Sequence, residues 1–267
     1  MTLTEVRRLL DELDIRPSKV LGQNFLIDAN ILWIILEQAD IRIDETVVEI
    51  GPGLGALTIK LADRAKCVIA IEKDPRLYEY LRGLRLNDVE LIKGDAVKTE
   101  FTVSPPFKVV SNLPYSISTP MLERFVEGEP KPRRIVVTVQ REVAERLGAK
   151  PGRKDYGALT LFTQLNYHVT VAHIVSPTCF YPAPHVESAV VVLDRRDPRV
   201  KLENDAPFHA IVRLGFNQRR KMLRKLIAAY DNVEAAFEAV GISTTARGEE
   251  LNLEQWIKLA NELRPRV

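Results

Sequence analysis

Short apolar runs and amphipathic segments alternate along the first half of the chain. Runs rich in apolar and β-branched residues predict buried strands at residues 46–50, 67–71, 89–92, 107–110 and 134–139. Between them, apolar residues three and four positions apart predict helices, and Pro75 suits the first turn of one of them. Strands that alternate with helices predict a parallel sheet with helices on both faces.

The pattern changes in the second half of the chain. Two β-rich runs, 167–175 and 188–193, have no helical segment between them, so we expect them to pair antiparallel. Beyond the charged, proline-containing stretch 195–207, only helical periodicity remains. These patterns predict an α/β domain over residues 1–200, Rossmann-like and mostly parallel with an antiparallel hairpin at one edge. Residues 201–267 are predicted to form a small all-α domain.

Composition changes this picture little. Of the 267 residues, 46% are hydrophobic and 28% are charged, with a net charge of +2, which is typical of a globular protein with a large core. The two cysteines and four histidines show no metal-ligand spacing, so no metal site is expected. No apolar run is long enough to cross a bilayer, and the amphipathic N-terminus lacks a signal-peptide core. We therefore expect a cytoplasmic protein without a membrane partner.

Glycines and carboxylates follow the predicted strands. Gly51 and Gly53 separate the first strand from its helix, where glycine permits a sharp turn and the close approach of a ligand. Glu72 ends the second strand, a position suited to ribose hydroxyls in nicotinamide and S-adenosylmethionine enzymes alike. The lack of a third pyrophosphate-contacting glycine favours S-adenosylmethionine. Asp95, at the third strand tip, favours it too, because its carboxylate could accept a hydrogen bond from an adenine amino group. The alternative for the glycine segment is a plain strand–helix turn, and the alternative for Asp95 is that it only caps a turn.

The motif Asn112-Leu113-Pro114-Tyr115 ends the fourth predicted strand. Pro114 fixes its own φ and favours an extended Leu113. An amide, a fixed turn and an aromatic ring at the carboxyl end of a strand could hold a planar group with polar edges, such as a nucleobase. A tight turn whose tyrosine caps the core is the alternative interpretation.

A series of motifs spread along nearly the whole chain resembles the ribosomal RNA adenine N6-dimethyltransferase family, of the KsgA kind. They are Gly22-Gln23-Asn24-Phe25-Leu26, Glu49-Ile50-Gly51-Pro52-Gly53, Glu72, Gly94-Asp95-Ala96, Asn112-Leu113-Pro114-Tyr115, Gln140-Arg141-Glu142-Val143-Ala144, Phe180-x-Pro182-x-Pro184-x-Val186-x-Ser188 and Phe216-Asn217-Gln218-Arg219-Arg220-Lys221. Each motif is moderately specific by itself, and the set in this order is highly specific. One departure is His185-Val186-Glu187, where relatives more often carry Lys-Val-Asp, a difference that concerns a phosphate contact rather than the pocket.

The resemblance implies a Rossmann-like S-adenosylmethionine methyltransferase sheet and a helical RNA-recognition domain. It implies an enzyme that dimethylates the N6 amine of two adjacent adenosines in a loop near the 3′ end of small-subunit rRNA. The expected partner is rRNA in an immature ribosomal subunit, and the expected state is a monomer. Leu113 favours the small subunit, because the related large-subunit enzymes usually carry Ile there. The compact tail and residues 112–120 favour an archaeal source.

Site residues also follow from the resemblance. Cofactor binding is implied for Gln23, Asn24, Leu26, Gly51, Gly53, Glu72, Asp95, Ala96 and Asn112. Catalytic roles are implied for Asn112, Leu113, Pro114, Tyr115 and Phe180. The Asn112 side-chain oxygen and the Leu113 carbonyl would accept N–H bonds of the target amine, and the two aromatic rings would stack on a flipped adenine.

Basic residues fall into two bands, one before residue 155 and one in the helical tail. Such bands are often only solvated faces, but two of them flanking a nucleobase-type pocket favour phosphate binding. RNA contacts are expected from Arg141, Arg153, Lys154, Arg219, Arg220 and Lys221.

Three other functions stay open at this point. They are a large-subunit rRNA adenine N6-methyltransferase, an assembly or transcription factor on the same fold, and a nicotinamide oxidoreductase. An oxidoreductase leaves residues 112–115 and the basic tail unexplained. A non-catalytic factor is disfavoured because every residue needed for the chemistry is present, although a dual role stays open.

Overall fold

A seven-stranded sheet underlies the candidate site. The computed structural model describes residues 1–197, 200–203 and 205–264. The strands lie in the order β4 (Val89–Lys93), β3 (Cys67–Glu72), β2 (Thr46–Ile50), β5 (Phe107–Asn112), β6 (Arg134–Gln140), β9 (Ser188–Arg195) and β7 (Tyr167–Val175). Neighbouring strands from β4 to β6 run parallel, whereas β9 runs antiparallel to β6. The predicted mostly parallel sheet with antiparallel pairing towards one edge is confirmed.

Helices connect the strands. They are α1 (Leu3–Glu12), α2 (Ala29–Ala39), α3 (Ala56–Ala62), α4 (Pro75–Gly83), α5 (Ser118–Glu127) and α6 (Arg141–Leu147). Asp28 and Asp74 cap α2 and α4, since each carboxylate accepts hydrogen bonds from two backbone N–H groups of the first turn. The apolar faces of α2 and α3 pack against the strands in one buried cluster, which includes Ile35, Leu61 and Val68.

A second apolar cluster brings the N-terminal helix to the rim of the sheet. Val6 and Leu10 of α1 are buried together with Phe25, Leu54 and Leu77. Phe25 belongs to a separate two-stranded sheet, in which β1 (Phe25–Leu26) pairs antiparallel with β8 (Phe180–Tyr181). This pairing joins two segments that are distant in sequence.

The chain divides into two compact units. The first contains Met1–Ala144 and Val169–Arg195, and the second contains Glu145–His168 with the chain from Arg196 onward. Helices of the second unit are α7 (Ala158–Asn166), α8 (Asp205–Asn217), α9 (Leu223–Leu226), α10 (Val233–Val240) and α11 (Leu253–Glu262). No helix in the described part of the chain has both the length and the apolar character needed to span a membrane.

The sequence-based boundary at residue 200 differs from this division, because residues 145–168 pack with the helical tail. Tyr156 is buried, its hydroxyl donates to the Leu251 carbonyl at 2.8 Å, and its ring lies 5.9 Å from that of Phe216. Phe162 contacts Phe208 in the same way, with ring centroids 6.3 Å apart. The predicted linker over residues 195–207 includes residues 198, 199 and 204, which lie outside the described part of the chain.

We expect Gly215→Ala to destabilise the helical unit. A Cβ at this position would lie 2.6 Å from Cη2 of the fully buried Trp256 and 3.1 Å from Leu223. Overpacking of this kind costs about 1–3 kcal/mol, which urea denaturation followed by circular dichroism would measure. Gly83→Ala is the matched helical control, since a Cβ there meets no atom within 4 Å. Equal stability of the two variants would contradict the packing described here.

Candidate active site

A cleft opens at the carboxyl ends of β2 and β5, the place where ligands bind in open parallel sheets. It contains about 620 Å³ of empty space, counting its open mouth. The lining includes the predicted residues Gln23, Asn24, Leu26, Asn112, Leu113, Pro114 and Tyr115, together with Glu49. The structure therefore brings the N-terminal motif and the 112–115 motif to one site.

Backbone hydrogen bonds join the tips of three parallel strands into one continuous edge. The Gly51 N–H donates to the Ile71 carbonyl at 2.9 Å, and the Gly94 N–H donates to the Glu72 carbonyl at 2.9 Å. The Glu72 carboxylate accepts from the N–H groups of Gly53 and Asp74 at 3.0 and 2.8 Å. Burial raises the pKa of Glu72, while these two N–H donors offset part of the rise. Glu72 thus lies next to the glycine loop, although outside the lining of the cleft.

Gly51 allows the first strand tip to approach the 112–115 motif closely. Its φ is +66°, a value that disfavours any side chain, and a Cβ would lie 2.7 Å from Cγ of Pro114. Gly22 is constrained in the same way, since its φ is +65° and a Cβ would lie 2.8 Å from the Ser116 nitrogen. Both glycines are therefore needed for the geometry of the walls.

Asn112 presents an unpaired oxygen inside the cleft. Its Nδ2 donates to the Asn24 carbonyl at 3.1 Å, and this contact fixes the orientation of the amide. The opposite atom, Oδ1, is buried and has no hydrogen-bond partner in the described part of the chain. A buried acceptor without a donor costs about 1–3 kcal/mol, so the arrangement is suited to an N–H group supplied by a ligand. Next to it, the buried Leu113 donates its N–H to the Thr138 carbonyl at 3.2 Å.

Two aromatic rings stand beside this amide. Tyr115 and Phe180 meet edge to face, with ring centroids 6.5 Å apart and planes at 72°. The pairing of Leu26 with Phe180 in the small sheet brings Phe180 to this position. Phe180 is only 2% exposed, so Tyr115 presents the more accessible ring. Burial raises the pKa of Tyr115, which keeps its phenol neutral at physiological pH.

Asp95 and Ala96 follow β4. They do not line the cleft, but they lie at the edge of the sheet where the parallel strands end. The Asp95 carboxylate accepts from Lys73 Nζ at 2.9 Å and from the Val97 N–H at 3.1 Å. The hydrogen bond from Lys73 lowers the pKa of Asp95, which keeps the carboxylate ionised. Gln23 is similarly engaged, because its amide donates to Asp74 at 3.0 Å and accepts from the Ser18 N–H at 2.8 Å.

The sequence reasoning missed Glu49 as a site residue. This side chain lines the cleft and is only 2% exposed, and its Oε2 has no hydrogen-bond partner among the described residues. Burial raises the pKa of Glu49 to about 8; the nearby Thr58 hydroxyl opposes the rise, and the charge of Glu72 adds to it. An acidic residue inside an otherwise apolar strand was the available signal. A buried carboxyl with a free oxygen suits a cationic ligand group.

The predicted RNA-binding residues differ in whether their side chains already have protein partners. Within the first unit, Arg141 forms an ion pair with Glu187 at 2.7 Å, and Glu187 is one of the residues that depart from the family pattern. Within the helical unit, Arg219 donates to Glu249 at 2.7 Å and to the Lys154 carbonyl at 2.6 Å, whereas the side chains of Arg153 and Lys154 are exposed. Arg219 therefore holds the loop that carries these two residues.

Four basic side chains of the helical unit share an open groove. They are Arg220, Lys221, Lys225 and Arg247, and all four residues are exposed. Asn217 and Gln218 lie along the same groove and add amide donors. A phosphate chain fits this combination of charge and hydrogen-bond donors. In the described part of the chain, no group of three or more His, Cys, Asp or Glu residues is arranged to hold a metal ion.

The family model for ribosomal RNA adenine dimethylase matches residues 16–264. The chain belongs to this family. It is 39% identical to ribosomal RNA small subunit methyltransferase A of Clostridium acetobutylicum, over 96% of this chain and 97% of the relative. The enzyme of the same name from Paenarthrobacter aurescens is 38% identical, over 99% of this chain and 94% of the relative. Both relatives are bacterial, so they give no support to the expected archaeal source.

Solved structures show the same fold. A dimethyladenosine transferase from Plasmodium falciparum matches with a TM-score of 0.76 and 28% identity, over 88% of this chain and 95% of that one. The 23S rRNA methyltransferase ErmE matches with a TM-score of 0.69 and 31% identity, over 90% of this chain and 99% of that one. The predicted methyltransferase fold is confirmed by these matches.

We expect Glu49→Gln to stabilise the protein increasingly as the pH rises. A carboxyl whose pKa is higher in the folded than in the unfolded state binds its proton more tightly when folded. The free energy of unfolding of the wild type therefore falls between the unfolded pKa of 4.5 and the folded value of about 8. The variant lacks this dependence and should gain a few kcal/mol relative to the wild type from pH 5 to pH 8.

Urea denaturation of the free protein at both pH values measures this difference. Glu37→Gln, at an exposed position of α2, is the matched control. Parallel pH profiles for Glu49→Gln and the wild type would show that Glu49 does not titrate in this range.

Proposed function

We propose that this protein uses S-adenosylmethionine to dimethylate the N6 amine of two adjacent adenosines near the 3′ end of small-subunit rRNA. Its substrate is the immature ribosomal subunit in the cytoplasm, and the enzyme acts as a monomer. The observation that carries the proposal is the buried, unpaired Oδ1 of Asn112 in a cleft at the strand tips. Family membership and the names of the bacterial relatives support the same reaction.

The cleft and its edge fit the chemistry of the cofactor. S-adenosylmethionine supplies an electrophilic methyl group on a sulfonium, and it carries an ammonium, ribose hydroxyls and an adenine amine. We assign the ammonium to Glu49, whose buried Oε2 has no hydrogen-bond partner among the residues that the structure describes. The Glu72 carboxylate would accept hydrogen bonds from the ribose hydroxyls, and the Asp95 carboxylate would accept one from the adenine amine. Gly51 permits a close approach because it has no Cβ.

Asn112 and Leu113 activate the target amine by orienting it. The lone pair of an adenine N6 is delocalised into the ring, which makes the amine a poor nucleophile. When the Asn112 Oδ1 and the Leu113 carbonyl each accept one N–H, the lone pair is directed towards the methyl group. No strong base is required, because the nitrogen becomes acidic once it carries the new bond. Catalysis is then mainly the positioning of the two reactants in line.

Tyr115 holds the base in this orientation. A paired adenine cannot reach the cleft, so the target must be unstacked or flipped from its loop. Stacking on an aromatic ring is worth about 1–3 kcal/mol per base and offsets part of the unstacking cost. Tyr115 offers the accessible ring, and Phe180 supports it from the side.

The groove of the helical unit supplies the RNA contact outside the active site. We assign phosphate binding to Arg220 and Lys221, with Lys225 and Arg247 beside them. Arg153 and Lys154 remain candidates because their side chains are exposed. Arg141 and Arg219 already form ion pairs, so any phosphate contact from them must compete with Glu187 and Glu249.

A large-subunit rRNA target is the second candidate function. The 31% identity to the 23S rRNA methyltransferase ErmE favours it. Leu113 and the higher identity to the small-subunit enzymes argue for the small subunit. Mapping the modified nucleotides separates the two functions.

The test is methyl transfer from labelled S-adenosylmethionine to immature small subunits, to large subunits and to bare rRNA. We expect two adjacent dimethyladenosines in small-subunit rRNA for the wild type. Asn112→Ala should lower the rate at least 100-fold while RNA binding stays within twofold, because the amide orients the amine and is not one of the residues that line the basic groove. Methylation confined to large-subunit rRNA would refute the proposed target, and full activity of Asn112→Ala would refute the assigned pocket.

Removal of two groove charges tests the RNA contact. We expect Arg220→Ala with Lys221→Ala to weaken rRNA binding and to make the slope of log affinity against log salt shallower by about 1–2, since two phosphate contacts are lost. S-adenosylmethionine binding should stay unchanged in calorimetry. Lys201→Ala with Lys258→Ala removes equal charge outside the groove and is the control. An equal effect of both pairs would indicate only a general electrostatic attraction.

A further inference from the structure

Ser188 contacts the active site from inside the sheet. It is the first residue of β9, it pairs with Gln140 across the antiparallel ladder, and none of its surface is exposed. Its hydroxyl lies 2.5 Å from the phenol oxygen of Tyr115. Because the ladder fixes the serine backbone, this hydroxyl is a rigid point to which the ring can be attached.

The Tyr115 ring needs such an anchor. The residue follows Pro114 and opens a single 3₁₀ turn, Tyr115–Ile117, so no strand or long helix fixes the direction of its side chain. In the described part of the chain, the ring meets Phe180 edge to face and is hydrogen-bonded to Ser188 at its phenol end. The hydrogen bond holds the phenol oxygen and so fixes the direction of the side chain, while the contact with Phe180 limits rotation of the ring about its long axis.

We propose that Ser188 is a positioning residue for base recognition, which rests on the proposed function and deepens it. Its hydroxyl fixes the phenol end of Tyr115 and with it the direction of the side chain, so that an adenine stacked on that ring presents its N6 to Oδ1 of Asn112. If the Tyr115 side chain shifts, the adenine stacked on it shifts too, and its N6 amine moves away from Oδ1 of Asn112. Displacements of about 1 Å are enough to slow a reaction that depends on positioning.

The second methyl transfer depends most on this anchor. The first transfer would form one N–C bond at N6, break the S–CH3 bond of S-adenosylmethionine to leave S-adenosylhomocysteine, and release one N–H proton to solvent, so that the amine keeps a single N–H. The monomethylated adenine must then be held while that N–H is turned towards an acceptor again. A loosely held base leaves the cleft before the second transfer, so a missing anchor should change the product as well as the rate.

Ser188→Ala and Tyr115→Phe remove the same contact from its two ends. Tyr115→Phe keeps the aromatic ring and leaves the sheet untouched, so it remains informative even where Ser188→Ala disturbs folding. Because both variants lose a single shared hydrogen bond, the double variant should be no worse than either single variant. Two independent structural defects would instead multiply.

The experiment measures kcat, KM and the ratio of monomethyl- to dimethyladenosine on immature small subunits, with S-adenosylmethionine affinity measured by calorimetry. We expect both single variants to lose 3- to 10-fold in kcat/KM and to raise the monomethyl fraction at least 3-fold. Cofactor affinity should stay within 2-fold. Thr163→Val is the control, since it removes a fully buried hydroxyl from the helical unit and should leave the product ratio unchanged.

Other results would overturn the positioning role. An unchanged product ratio in Tyr115→Phe on an active wild-type background would show that the phenol anchor is not used. Multiplied losses in the double variant would show that the two groups act separately. Failure of the proposed function looks different, because the wild type itself would then leave small-subunit rRNA unmethylated, and the positioning role would fall with it.

Discussion

The hydrogen bond from Asn112 Nδ2 to the Asn24 carbonyl determines what the cleft can do. It joins a strand tip to the N-terminal segment, and it decides which end of the amide faces inward. With the nitrogen occupied, the buried oxygen is left for a ligand donor. An amide turned the other way would present a donor, which would repel the N–H groups of an adenine amine. In the proposed function, recognition of the target would therefore depend on a backbone carbonyl 88 residues away in sequence.

The walls around this amide are held by close backbone approach. Gly51 and Gly22 lie so near the 112–115 motif that a Cβ on either would overlap with it. The same strand tips are linked by backbone hydrogen bonds to Ile71 and Glu72. The residues proposed to hold the cofactor and the target thus share one edge, as a reaction controlled by positioning requires. The unpaired oxygens of Asn112 and Glu49 are the polar groups that this edge keeps available.

In the helical unit, adjacent basic residues differ in whether other protein groups already bind the side chain. Arg219, Arg220 and Lys221 are adjacent in sequence, yet Arg219 is bound to Glu249 and to the loop carbonyl of Lys154. Its two neighbours instead face an open groove with Lys225 and Arg247. A run of positive charge therefore contains one residue that builds the surface and two that can use it.

The sequence by itself determined the order of strands and helices, the glycine turns, the strand-tip carboxylates and the 112–115 motif. Each of these follows from local periodicity or from the conformational limits of glycine and proline, which neighbouring residues are enough to specify. Only the tertiary structure decided that Tyr156 and Phe162 pack with the helical tail, because ring contacts between distant segments leave no local pattern. The same holds for the full burial of Glu49, the ion pairs of Arg141 and Arg219, and the meeting of Tyr115 with Ser188. Burial and partnership depend on which distant segments the fold brings together, and these contacts decide which of the predicted side chains remain available to a ligand.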